Sequence, residues 1–361
     1  MTADFNTTSP IRSGEELPVE RIAAWLKDHF PDAAGPLTIE QFPAGHSNLT
    51  YLLSCGAPST GGSLELVLRR PPFGNQVKSA HDMGREFRVL SRLCQVFAAA
   101  PKPYVYCDDE NVIGAPFYLM ERRRGLILRK STPSEIAIDR DMARRLSTAL
   151  IDQLALLHSV DCQTAGLADL GKPEGYVERQ VSGWAGRFEK AKTGEAPVMD
   201  QIGRWLGEHL PPVSSAAVIH NDYKYDNVVL AADDPTRIVA VLDWEMATLG
   251  DPLMDLGTTL GYWIEAGDPE ALRQTAFGPT AVPGSLTRRE LVARYEERTG
   301  RPVPNALFYY CFGLFKIAVI VQQIYARYVR GHTRDPRFAR LGDLVDVLAW
   351  QADSAIRSGT V

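Results

Sequence analysis

The sequence predicts an α+β protein of two lobes, a small antiparallel sheet carrying one helix and then a larger, mostly helical lobe. Short runs rich in β-branched and aromatic residues fall within the first 122 residues, and a long amphipathic pattern begins at Asp139. The length of 361 residues suits two lobes better than one ordinary domain. We therefore expect an N-terminal lobe with a short N-terminal extension at residues 1–122 and a C-terminal lobe at 123–361.

The N-terminal lobe is expected to start with a helix opened by Pro18, because Ile22 and Leu26 then share one face. After it the pattern predicts three strands, a helix and two further strands, bounded by turns rich in glycine and proline. The predicted segments are strands 39–42, 49–54 and 64–69, helix 85–97, and strands 105–106 and 117–120.

The C-terminal lobe is expected to be helical except for one short hairpin. Leucines at three- and four-residue steps predict a helix over 139–158, and further helices are expected at 181–191, 199–210 and from 253 onward. Strands 228–230 and 238–242 form the hairpin, with its turn at 232–235. The apolar stretch 306–321 is shorter than the roughly 20 residues of a membrane span, so a buried helix is predicted there.

Composition excludes several classes of function. The net charge is −5 and the pI about 5.9, which disfavours a general role in binding nucleic acid. The five cysteines are scattered and none has CxxC spacing, so neither a disulfide framework nor a structural zinc site is expected. The N-terminus lacks the basic start and apolar core of a signal peptide, and we expect a cytoplasmic protein.

The segment from His220 to Asn227 has the pattern H-x-D-x-x-x-x-N, which is typical of the catalytic loop of kinases. The spacing has a physical reason, because an aspartate must face the substrate hydroxyl while an amide oxygen five residues later reaches a magnesium ion. A turn that is merely rich in Asp and Asn is the alternative.

A second segment favours the kinase interpretation. Asp243 follows the hydrophobic second strand of the predicted hairpin, where kinases place another magnesium ligand. A few hard oxygen ligands suit a magnesium ion that keeps water and phosphate oxygens in its shell.

From about Leu37 to about Val347 the chain resembles the aminoglycoside phosphotransferase family, a branch of the protein-kinase-like superfamily. It is most like the kinase-like domains fused to, or encoded beside, acyl-CoA dehydrogenases. The motifs that carry the likeness are 220–227, 242–245 and 250–255. The resemblance implies a kinase-like fold, ATP as co-substrate, Mg²⁺ as cofactor, and a functional link to an acyl-CoA dehydrogenase.

Residue by residue, the resemblance implies that Asp222 orients the acceptor hydroxyl and takes its proton, with Lys224 near the transferred phosphate. Asn227 and Asp243 would hold magnesium. His220 would support the loop, and Asp255 would anchor the loop backbone from the following helix.

In the N-terminal lobe, Arg69 stands where kinases place the lysine that binds the α- and β-phosphates. Its planar fork can also grip phosphate. Arg70 is the rival, a solvated strand end is the alternative for both, and Glu86 is the expected ion-pair partner of either. The other residues expected to bind the nucleotide are those of the turn before the second strand, Val67 against adenine, and the hinge: Gly45, Ser47, Asn48, Val67, Met120 and Glu121.

Asp243 is followed within a dozen residues by Asp255, which leaves no room for the long activation segment of protein kinases. A small-molecule acceptor with a hydroxyl group is therefore expected, and the resemblance implies a hydroxyacyl-CoA or a hydroxy acid. A basic cluster is a candidate site for an anionic acceptor, although a solvated helix end explains it equally well. Its members are Arg327, Arg330, His332, Arg334, Arg337 and Arg340.

Four aromatic residues are either the lining of an acyl channel or ordinary core: Trp263, Tyr309, Tyr310 and Phe312. Two other functions compete with the hydroxy-compound kinase, namely an aminoglycoside kinase and a nucleotide-binding pseudokinase that regulates a partner. The sequence leaves open the acceptor, ATP against GTP, the oligomeric state, Arg69 against Arg70, and the role of the basic cluster.

Overall fold

The computed structural model describes residues 8–43, 48–57, 62–73, 82–129, 137–212, 215–333 and 335–361. The chain divides into two compact units. The N-terminal unit contains the residues up to Ile127 together with Val229–Ala247, and the C-terminal unit contains Leu128–Val228 and Thr248–Val361.

The described helices are α1 (Val19–His29), α2 (Met83–Leu93), α3 (Glu110–Ile113), α4 (Arg140–His158), α5 (Tyr176–Ala191), α6 (Pro197–Glu208), α7 (Pro252–Tyr262), α8 (Glu270–Arg273), α9 (Arg288–Thr299), α10 (Ala306–Val329) and α11 (Leu341–Ser358). The described strands are β1 (Ala34–Gln41), β2 (Leu49–Ala57), β3 (Gly62–Arg70), β4 (Pro103–Cys107), β5 (Phe117–Glu121), β6 (Ala217–Ile219), β7 (Val228–Leu230), β8 (Ile238–Val241) and β9 (Thr248–Gly250).

The N-terminal unit is built on an antiparallel sheet with the order β1-β2-β3-β5-β4. Leu66 and Leu68 of β3 face a core that also contains Ile22 and Leu26 of α1. Because side chains alternate along a strand, Val67 and Arg69 lie on the opposite face. The predicted order of strands and helix is confirmed, with the four-residue α3 added between β4 and β5.

The hairpin of β7 and β8 differs from expectation in its place rather than its form. The sequence boundary at 122/123 assigns it to the C-terminal lobe, whereas most of it belongs to the N-terminal unit. Leu126 and Leu230 exchange backbone hydrogen bonds of 2.8 Å, and Val241 N donates to Ala99 O at 2.7 Å. Such hydrogen bonds join segments that are far apart in sequence, so they cannot be predicted from a local sequence pattern.

The C-terminal unit is organised around α10, which packs against α5, α6, α7 and α11. The predicted buried helix is confirmed, and it extends over 24 residues. By length and composition α10 passes the test for a membrane span, but 78% of its most apolar window is buried inside the protein, as in a core helix.

The crossing of α7 and α10 is unusually close because it is made by glycines. A Cβ atom on Gly257 would lie 2.2 Å from Tyr309 O, and one on Gly313 would lie 2.0 Å from Gly257 O. Only glycine permits such an approach, and it brings Asp255 of α7 and Lys316 of α10 toward the same loop.

The short ribbon of β6 and β9 was not predicted. Its strands have three residues each, too few for an alternating pattern to be read from the sequence. β6 leads directly into residues 220–227.

Candidate active site

Arg69 is the centre of a buried charged network in the N-terminal unit. Its Nε donates to Glu86 Oε2 at 3.0 Å, and the two side chains are 9% and 2% exposed. The sequence analysis predicted that Glu86 pairs with Arg69 or Arg70, without deciding between the two arginines. Burial works against the guanidinium charge, but Glu86 and Asp243 outweigh it and raise the pKa of Arg69 above its usual value.

The same guanidinium also bonds Asp243 through Nη2, and Glu245 Oε2 lies 3.8 Å from that nitrogen. Asp243 has a left-handed backbone with φ of 69°, a conformation rare outside glycine. The turn is held to α2, because Trp244 N donates to Glu86 Oε1 at 3.2 Å and Arg85 donates to Glu245 O.

Arg70 lies on the other face of the sheet. Its guanidinium donates to Pro71 O and Ile113 O and stacks over the ring of Phe73 at 3.7 Å. Of the two arginines, only Arg69 therefore shares a network with Asp243 and Glu86.

Val67 and Met120 pair across β3 and β5, and both are buried. The backbone N–H of Glu121 donates to Lys102 O at 2.9 Å, and its carboxylate accepts from Lys102 N. The contacts of these residues with a nucleotide stay predictions.

The turn before β2 is described only in part, because Gly45 and Ser47 lie outside the described residues. Asn48 does join the charged network, since its Nδ2 donates to Glu245 Oε2 at 2.6 Å. Glu245 was not singled out from the sequence. Its position two residues after Asp243 was the signal that could have identified it.

In the C-terminal unit, the carboxylate of Asp222 accepts hydrogen bonds on both oxygens. Lys224 Nζ donates to Oδ1 at 2.7 Å and to Oδ2 at 2.6 Å, and Asn227 Nδ2 donates to Oδ2 at 2.9 Å. Tyr262, which the sequence analysis did not single out, donates from its OH to Oδ1 at 2.8 Å, and its ring lies under the ammonium of Lys224. These three donors fix the orientation of the Asp222 carboxylate.

The loop backbone is anchored by Asp255, as the resemblance implied. Asp255 is fully buried, and its carboxylate accepts from His220 N at 2.6 Å and Asn221 N at 2.7 Å. His158 Nε2 lies 3.1 Å from Asp255 Oδ2, and its Nδ1 lies 2.8 Å from Tyr295 OH. Burial alone would raise the pKa of Asp255, but the hydrogen bonds and His158 lower it on balance.

Asn227 has a hard oxygen atom of the kind that suits a magnesium ion. The amide nitrogen of Asn227 donates two hydrogen bonds to Asp222, one to the backbone O and one to Oδ2. The amide oxygen Oδ1 is therefore the atom that can bind a cation. In the N-terminal unit, Asp243 carries hard carboxylate oxygens of the kind that magnesium prefers, and its role as a ligand stays a prediction. In the described part of the chain, His, Cys, Asp and Glu form no group of three or more that could hold a metal ion.

The C-terminal basic cluster is partly neutralised by its own neighbours. Arg337 pairs with Asp335 and Arg340 with Asp343, while Arg330 donates to the carbonyls of Lys190 and Lys192. Arg334 lies outside the described residues. The four candidate channel aromatics are at most 2% exposed, so the structure places them in the core.

Comparison with known proteins decides the family. The model of the phosphotransferase enzyme family matches residues 38–291, which include both charged networks. This protein belongs to that family. The family comprises small-molecule kinases, and the fold is protein-kinase-like.

A crystal structure from Ralstonia eutropha JMP134, assigned as an aminoglycoside phosphotransferase, is 32% identical with a TM-score of 0.76, covering 93% of this chain and 98% of that one. Choline kinase from Cryptosporidium parvum shares the fold at 12% identity with a TM-score of 0.61, over 95% and 97% of the two chains.

Among curated proteins, acyl-CoA dehydrogenase family member 10 of Mus musculus is 32% identical over 356 residues, 98% of this chain and 32% of the relative. The chain thus spans about a third to two fifths of the length of the curated relatives it matches.

Proposed function

We propose that this protein is a magnesium-dependent kinase that transfers the γ-phosphoryl group of ATP to a hydroxyl of a small molecule. The observation that carries the proposal is the carboxylate of Asp222, which is held in one orientation by Lys224, Asn227 and Tyr262. A carboxylate so fixed can accept the hydrogen bond of an acceptor hydroxyl and then its proton.

Each side chain then has a defined task. Lys224, whose ammonium binds Asp222, would turn toward the transferred phosphate. Asn227 Oδ1 and Asp243 would hold the magnesium, which supplies charge neutralisation on the phosphate oxygens when bound. Arg69, oriented by Glu86, would bind the nucleotide phosphates through its remaining N–H bonds. The acceleration comes from positioning and electrostatics.

For the acceptor we propose a hydroxyacyl-CoA or a hydroxy acid. The similarity over almost the whole chain to acyl-CoA dehydrogenase family members supports this class, because a kinase that serves such a dehydrogenase would act on a related acyl compound. An aminoglycoside is the second candidate, favoured by the similarity to the Ralstonia protein.

The test is label transfer from γ-labelled ATP in the presence of Mg²⁺. The acceptor panel contains hydroxyacyl-CoAs, free hydroxy acids, choline-like alcohols and aminoglycosides. Asp222→Asn is the inactive variant, and Asp233→Asn, on the exposed hairpin turn, is its matched control. Transfer to an acyl acceptor that is lost only in Asp222→Asn supports the proposal. ATP binding without transfer to any acceptor contradicts it and favours the pseudokinase.

A further inference from the structure

Lys316 is a buried lysine on the apolar helix α10. Lys316 lies in the middle of α10 and is 2% exposed, and among the described residues no carboxylate pairs with its ammonium within 4 Å. Burying an ammonium group costs several kcal/mol unless it is paired with an opposite charge and fully hydrogen-bonded. Lys316 also lies beyond the residues matched by the family model.

The ammonium is directed at one backbone atom of the catalytic loop. Lys316 Nζ donates to Asn221 O at 2.6 Å, while Thr258 Oγ1 is more distant at 3.5 Å. The carbonyl of Asn221 belongs to the peptide that joins it to Asp222. Fixing this carbonyl therefore fixes the peptide plane from which Asp222 departs.

Asn221 adopts a backbone conformation that benefits from such support. Its φ is 69°, in the left-handed region, which asparagine tolerates better than other residues with a Cβ but which is still less favourable than the right-handed region. Asp255 holds the Asn221 N–H, and Tyr176 OH lies 3.3 Å from Asn221 Oδ1. Neither contact controls the carbonyl, which is the group that a relaxed loop would turn away.

A neutral donor could satisfy this carbonyl at lower cost, so the charge itself calls for an explanation. A charged donor makes a shorter and stronger bond. It also places a positive charge one residue from Asp222, in addition to that of Lys224. Buried charges that lower stability are retained where activity depends on them.

We infer that Lys316 is a positioning residue of the phosphotransfer reaction, holding the Asn221–Asp222 peptide so that the Asp222 carboxylate faces the acceptor hydroxyl. The inference rests on the proposed function. The residue acts through the loop and touches no substrate.

The test compares Lys316→Met with wild type and with Gln322→Met. Gln322 is a matched control, because it is a buried polar residue on the same helix that donates to a carbonyl, Ala191 O at 2.9 Å, outside the catalytic loop. With the acceptor found by the label-transfer panel, kcat of Lys316→Met should fall roughly 100-fold, since a small misplacement of a reacting group costs about that much. KM for ATP and for acceptor should change less than about twofold, and Lys316→Arg should recover part of kcat because it restores a charged donor.

A kcat within about threefold of wild type overturns the inference, as does an equal loss in Gln322→Met or a loss that appears only in KM. A second readout is independent of activity. In a crystal structure of Lys316→Met, Asn221 should leave the left-handed region and the Asp222 carboxylate should move. If wild type transfers label to no acceptor, the proposed function fails, and an unchanged loop in that structure separately refutes the positioning role.

Discussion

Replacing Lys316 by methionine should change how the stability of the protein responds to pH. Burial lowers the pKa of Lys316 from its usual 10.5 to about 8, while Asp255 and Asp222 oppose the shift and Lys224 and Arg187 add to it. At about 1.4 kcal/mol per pKa unit, the folded protein disfavours the ammonium by about 3 kcal/mol. The native state carries this whole cost below pH 8.

The direction follows from proton binding. Between pH 8 and 10.5 the unfolded chain holds the Lys316 proton and the folded chain does not, so this group makes wild-type stability rise with pH. The methionine variant lacks the group. Its free energy of unfolding relative to wild type should therefore decline by about 2 to 3 kcal/mol between pH 7 and pH 10.

Loss of the bond to Asn221 O adds an opposite cost of about 1–3 kcal/mol that does not depend on pH. Lys316→Met should thus be similar in stability to wild type at pH 7, and the trend of the stability difference with pH is the informative quantity. Urea unfolding followed by tryptophan fluorescence at pH 7, 8, 9 and 10 measures it, with Gln322→Met as the control that should show no trend. A difference between Lys316→Met and wild type that stays constant across this range would refute the reasoning.

Three other changes test the remaining assignments. Arg69→Met should weaken Mg-ATP binding by about tenfold or more, and Arg70→Met should leave the affinity unchanged, both measured by calorimetric titration. Arg69→Met should also cost about 3–5 kcal/mol of stability, because it leaves buried Glu86 without its cation. Asp255→Asn should lower kcat and the unfolding midpoint. Because the pKa of Asp255 is lowered in the folded protein, the ionised carboxylate stabilises the wild type, and this stabilisation should be lost as pH falls through that pKa. The stability of the variant should not show this loss. Gly313→Ala should lower the unfolding midpoint by at least the equivalent of about 1–3 kcal/mol, since its Cβ meets the backbone of Gly257, and an unchanged midpoint would contradict the described crossing of α7 and α10.

The sequence alone determined those features of this protein that depend on residues close together in the chain. The H-x-D-x-x-x-x-N spacing identified Asp222 and Asn227, and hydrophobic periodicity identified most helices and the order of the N-terminal strands. These features depend on neighbours within a few residues, which is the range over which side-chain patterns report on backbone structure.

Only the tertiary structure decided which residues from elsewhere in the chain support those motifs. Alternation along β3 shows that Arg69 and Arg70 face opposite ways, but the packing of α1 on one face and α2 on the other decides which arginine meets Glu86. Lys316 and Asn221 are 95 positions apart, and Asn48 and Glu245 are 197 apart. No local pattern encodes such contacts, because they exist only once distant helices and strands have packed together.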